Sequence, residues 1–141
     1  MIDKKGILTA LKKNQFCVLS TVSTTAKPQV AVMSYTIKDD FTFLMSTEPT
    51  TRKVTNITTN NQSSVLIGGL DGSSEIQIDG LVRFLSDAEV SDAKNYIFSV
   101  HPELKDYISV NHKIIEFKPT WLRYSDFSIS PAEIFELTDF T

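Results

Sequence analysis

Phe43-Leu-Met-Ser-Thr-Glu-Pro-Thr-Thr-Arg-Lys-Val-Thr-Asn-Ile-Thr-Thr-Asn60 joins the end of an apolar run, a polar break and the start of a helical pattern. Phe41 to Ser46 is aromatic and apolar enough to read as a strand. Thr47-Glu-Pro-Thr-Thr51 interrupts it, and Arg52 to Asn60 then reads as a helix with Val54 and Ile57 facing inward. Thr51 stands where a helix cap belongs, and two cations follow at once. Helix N-termini present free N–H groups and a partial positive charge, so Thr51, Arg52 and Lys53 form a candidate phosphate cradle. On residue chemistry alone the plainer reading, a cap followed by solvated cations, is the stronger one, because Lys and Arg are ordinary surface residues.

Toward the N-terminus, Asp3 caps a short helical pattern with Ile7, Leu8 and Leu11 on one face, ended by Asn14 and Gln15. Phe16 to Val22 reads as a strand, Ser23-Thr-Thr-Ala-Lys27 as a hairpin loop, and Pro28 opens a second strand running to Ile37. Lys38-Asp-Asp40 is a turn, which makes the first three strands a meander. Toward the C-terminus, Ser64 to Gly69 and Glu75 to Leu85 read as strands around the turn Leu70 to Ser74. Ser86 to Val100 follows as a helix that His101-Pro102 ends. Lys113 to Phe117 and Trp121 to Tyr124 read as closing strands split at Pro119, with another strand at Glu133 to Leu137. The expected fold is mainly β, an antiparallel barrel of six or seven strands with three short helices in one domain, because closure removes exposed sheet edges.

Composition bounds the function. Hydrophobic residues make up 41% and charged residues 22% of 141, the balance of an ordinary packed domain. A net charge of -3 argues against broad nucleic-acid binding, yet a few placed donors can still hold one phosphate. One cysteine, Cys17, rules out an intramolecular disulfide and a thiolate cluster. No apolar run has the length of a membrane span and the first residues lack the pattern of a signal peptide, so the expectation is a cytoplasmic protein. Gly68-Gly-Leu-Asp-Gly72 lacks the following Lys-Ser/Thr of a nucleotide loop, no Gly-x-Ser-x-Gly surrounds Ser20, Ser34 or Ser46, and His101 and His112 are not spaced as a metal pair.

The order strand, Ser/Thr-containing loop, Thr-Arg-Lys, helix, Asn, strand resembles the flavin-phosphate element of the pyridoxamine 5'-phosphate oxidase-like family. Here it spans Ser46-Thr47, Thr51-Arg52-Lys53 and Asn60. Phe16-Cys-Val-Leu-Ser-Thr-Val22 with Lys27-Pro-Gln-Val-Ala-Val-Met-Ser-Tyr35 is similar to that family's opening hairpin, and Glu75-Ile-Gln-Ile-Asp-Gly-Leu-Val-Arg-Phe84 to a later barrel strand with its Gly. The resemblance covers roughly residues 5 to 124.

It implies an FMN-binding split barrel that works as a homodimer. In it Arg52 and Lys53 bind the FMN phosphate with Thr51 beside them, while Ala31, Val32, Met33 and Ser34, with Ser46 and Thr47, face the ring and ribityl chain. Glu75 falls where the family places a polar residue near the flavin. Authentic pyridoxamine phosphate oxidases carry a basic residue at the start of the second strand and a C-terminal Trp- and Arg-containing segment. Ala31 and Ile129 to Thr141 lack them, so vitamin B6 oxidation is not expected. Two readings of different class remain: an FMN-dependent oxidoreductase reduced by a transiently bound NAD(P)H, and a non-enzymatic barrel that holds flavin or haem, or has lost its ligand. In the first, the cofactor supplies the redox chemistry and no side-chain acid or base is required.

Overall fold

The computed structural model describes all of residues 1–141. Helix α1 (Lys4–Lys13) begins at Asp3, whose carboxylate accepts the Gly6 N–H at 2.9 Å, and it buries Ile7 and Leu11. β1 (Phe16–Val22) and β2 (Pro28–Ser34) pair along their whole length, Phe16 opposite Ser34 and Val22 opposite Pro28. β3 (Thr36–Ile37) and β4 (Phe43–Thr47) form the next hairpin, followed by α2 (Arg52–Thr59), β5 (Gln62–Gly68), β6 (Ser74–Phe84) and α3 (Asp87–Val100). A 3-10 segment (Pro102–Asp106), β7 (Lys113–Asp126) and β8 (Glu133–Leu137) complete the chain.

All eight strands form one antiparallel sheet in the order β2-β1-β5-β6-β7-β4-β3, with β8 added to β7. β2 at one end and β3 at the other are separated only by Tyr35, so the two ends of the sheet belong to one run of chain and the sheet curls on itself. No ladder joins β2 to β4, and the barrel is split there. Tyr35 pins the junction: its N–H donates to Gln15 O at 2.9 Å and its hydroxyl to Leu11 O at 2.6 Å. Its ring packs 5.0 Å from Phe43, which packs 5.6 Å from Phe117, an aromatic file through the interior. A second, smaller core of Leu44, Ala93, Ile97 and Ile114 seats α3 against β4 and β7.

The expected mainly β barrel is what forms, with three differences of detail. The run from Pro28 to Ile37 is broken at Tyr35, which gives eight strands in place of six or seven. Phe41, expected in a strand, lies in the preceding turn with φ of 67°, its ring buried against Phe140. β7 is not split at Pro119: it runs through as one strand of 14 residues. The register shifts instead, Asp79 facing Trp121 and Gly80 facing Pro119, so Thr120 is the extra residue of a bulge that absorbs the proline without ending the strand. The helix ends at Val100 as His101-Pro102 predicts, and Pro102 then opens the 3-10 segment that returns over β4.

Candidate functional site

The split leaves the free edge of β2 facing β4 beyond its short pairing with β3, and most of the sequence-expected residues gather along it. At one end, Ala31 on β2 shares a small hollow with Arg52 and Lys53 from the first turn of α2. At the other, Val32, Met33 and Ser34 line a cavity of about 460 Å³ with Ser46 of β4, roofed by Leu104, Tyr107 and Ile108. Thr47 and Thr51 connect the ends, their hydroxyls 3.0 Å apart, with Lys53 Nζ donating to Thr47 Oγ1 at 3.3 Å. Glu75 stands apart. It is the second residue of β6, opposite Gly68, its carboxylate accepts from Gln77 at 2.6 Å, and β1 and β5 separate it from β2.

Thr51 occupies the cap position of α2, but its hydroxyl accepts no helix N–H. It lies 3.2 Å from the Glu48 carbonyl and bonds to that oxygen instead, a local alternative open to Ser and Thr side chains. The first-turn N–H groups of α2 therefore have no side-chain cap. Neither Arg52 nor Lys53 pairs with a carboxylate. Burial, and then the neighbouring Arg52 charge, hold the Lys53 ammonium below its ordinary pKa. Two adjacent cations at an uncapped helix start make a positive site without its counter-charge.

What holds this helix start over the β2 edge was not legible in the sequence. Asn56, one turn on from Arg52, is buried, and its amide donates to Thr21 Oγ1 and to Gln29 Oε1, both at 2.9 Å. The amide ties α2 to β1 and β2 together, which fixes the cations against the strand edge. The roof was missed as well, since nothing in Pro102 to Ile108 alone says where it packs.

A neighbouring hollow of about 560 Å³ shares Phe16 and Val32 and runs beneath the β5–β6 turn, with Asp71 and no cation in its wall. Cys17 lies there with its Sγ 4.0 Å from Met45 Sδ, and burial pushes the thiol up to about 12, so it is not a nucleophile at neutral pH. Trp121 and Tyr124 are half-buried and Phe127 is exposed. A group of exposed apolar residues on one face lies elsewhere, at Phe16, Val30 and Val32 of the β1–β2 hairpin, Val32 being 72% exposed.

The model of the family described as pyridoxamine 5'-phosphate oxidase matches residues 4–126. No curated protein matches the chain. Among solved structures, general stress protein 26 from Bacillus anthracis is 28% identical, with 92% of this chain and 95% of that one covered and a TM-score of 0.68. A pyridoxamine 5'-phosphate oxidase-related, FMN-binding protein from Nostoc punctiforme is 13% identical over 94% of this chain and 88% of that one, with a TM-score of 0.75. A haem-binding protein from Mycobacterium smegmatis is 13% identical over 89% of this chain and 53% of that one, with a TM-score of 0.72. At that identity the likeness to the last two shows the fold alone. No helix is long and apolar enough to cross a membrane.

Proposed function

The chain belongs to the pyridoxamine 5'-phosphate oxidase family, and from that premise we propose that it is an FMN-binding oxidoreductase. The observation that carries the reading is the pair of uncompensated cations, Arg52 and Lys53, at an uncapped helix start beside a free strand edge. A phosphate seated there meets two charges and the amides of the first turn of α2. The edge from Ala31 to Ser34 offers backbone donors and acceptors to a flat heterocycle, and Ser46 and Thr47 offer hydroxyls between ring and phosphate. FMN, when bound, supplies hydride or electron transfer. The chain's part is to anchor, orient and exclude water. The site holds no converging pair of carboxylates or histidines for side-chain acid–base hydrolysis, which fits redox turnover.

The donor in this reading is a nicotinamide that binds transiently, and vitamin B6 phosphate is a poor substrate because no cation stands near Ser34 or in Ile129 to Thr141 to hold a second phosphate. Purified protein titrated with FMN is expected to show flavin absorption, to bleach with NADH or NADPH without oxygen, and to recover in air. A Soret band in place of flavin bands moves the assignment to haem. Bound flavin that resists both nicotinamides leaves a binding protein, and efficient oxidation of pyridoxamine phosphate overturns the substrate assignment.

The family reading also carries a homodimer. Phe16, Val30 and Val32 expose apolar surface on the outer face of the β1–β2 hairpin, beside the seam, and a second copy is the partner that would cover it. Light scattering should return about twice the 15.8 kDa chain mass. A strict monomer at micromolar concentration removes the dimer.

A further inference from the structure

Asn56 decides which way a neighbouring amide points. Its amide nitrogen donates twice, to Thr21 Oγ1 and to Gln29 Oε1, each at 2.9 Å. The carbonyl end of Gln29 is therefore occupied, and Nε2 is the end left over. That nitrogen donates to nothing in the chain. It is not enclosed either, since the one buried side-chain polar atom without a partner is Thr36 Oγ1. Gln29 lines the hollow at the start of α2 together with Ala31, Arg52 and Lys53. Ala31, two residues on along the same face of β2, has no side-chain donor to offer.

The direction of that amide matters for an anion. A phosphate ester loses its second proton at a pKa of about 6, and above that every terminal oxygen is an acceptor only. Arg52, Lys53 and the uncapped first-turn N–H groups of α2 meet it with donors alone. An amide presented by its nitrogen extends that set, whereas the same amide presented by its oxygen would set lone pair against lone pair. No carboxylate lines the hollow to compete for the donors. The bond from Asn56 thus selects the orientation that suits an anion.

We propose that Gln29 is a third side-chain ligand of the anion held by Arg52 and Lys53, and that Asn56 is the positioning residue that presents it by its N–H. The proposal rests on the flavin reading, which supplies the anion as the FMN phosphate. The test titrates FMN and riboflavin into parent and variants by fluorescence quenching and reads the ratio of the two affinities. Gln29→Met keeps the reach and loses the donor, so the preference for FMN should fall about ten-fold with riboflavin unchanged. Gln29→Glu still accepts from Asn56 but turns an oxygen toward the anion. Its loss should be larger at about pH 8 and shrink toward about pH 5, where carboxylate and phosphate can share a proton. A residue that only braced the hairpin would show no such profile. Asn56→Asp, whose carboxylate can only accept, should lower the FMN preference of the parent and lower that of Gln29→Met clearly less. An unchanged preference in Gln29→Met, a pH-independent loss in Gln29→Glu, or an equal effect of Asn56→Asp in both backgrounds overturns the proposal. Equal loss of both flavins in Gln29→Met also overturns it, because the side chain then serves the hairpin. A parent chain that takes up neither flavin defeats the cofactor assignment alone. Inorganic phosphate should then raise the melting temperature of the parent more than that of Gln29→Met, and equal shifts overturn the proposal.

Discussion

Replacing Arg52 and Lys53 together by Ala should weaken FMN binding by about 2 to 5 kcal/mol, because two charge-assisted contacts to one phosphate disappear. Lys53 should carry the larger share. It is half-buried and tied to Thr47, whereas Arg52 is exposed, so water and salt screen it more. Riboflavin, which has no phosphate, should bind the double variant as it binds the parent chain. Calorimetric titration with both ligands separates the possibilities. Equal loss for the two would mean that the substitutions damage the seam and not a phosphate contact, and no loss for FMN would place the phosphate elsewhere.

The second large effect concerns stability. A Cβ placed on Gly80 would lie 2.4 Å from the Lys118 carbonyl oxygen and 2.6 Å from Cζ of Phe117. The first is backbone, and the second belongs to a ring that is fully buried in the aromatic file, so neither yields without moving β7. Gly80→Val should cost about 3 kcal/mol or more, the upper range for forcing extra atoms into a packed interior. Chemical denaturation of parent and variant measures it. A loss under about 1 kcal/mol would show that the bulge opposite Gly80 gives way easily.

These residues also show how far the sequence could be read. The hairpin of β1 and β2, the strand-to-helix passage at Thr51 and the strand at Glu133 to Leu137 follow from local signals, alternation, turn residues and a proline at a strand start, and local signals sit in the sequence. Pro119 misled because a proline inside a strand reads as a break, while the bulge that accommodates it depends on Gly80, some forty positions away. Thr51 misled because its hydroxyl can either accept from the helix N–H groups or donate to the Glu48 carbonyl, and only the fold decides between them. At the site, the cations and the β2 edge were legible from their pattern. Asn56, Gln29 and the 3-10 roof were not, since side-chain amides and a short turn gain meaning only from what non-local packing sets against them. Glu75, placed near the flavin by resemblance, lies on β6, with β1 and β5 between it and β2 and β7 between it and β4.

The seam has a consequence for how the molecule behaves in a crowd. An open sheet advertises two outer strands on which another chain can add and so begin aggregation. Here the free edge of β2 faces the stretch of β4 beyond the short β3 pairing, and Tyr35 joins the sheet's two ends covalently, so neither can peel away as a free ribbon. The outward edge of β8 is five residues long and carries Glu133 and Glu136. Shortness and like charge both discourage a stray strand from docking there. The same opening that admits a ligand thus keeps the barrel's unsatisfied backbone out of reach of its neighbours.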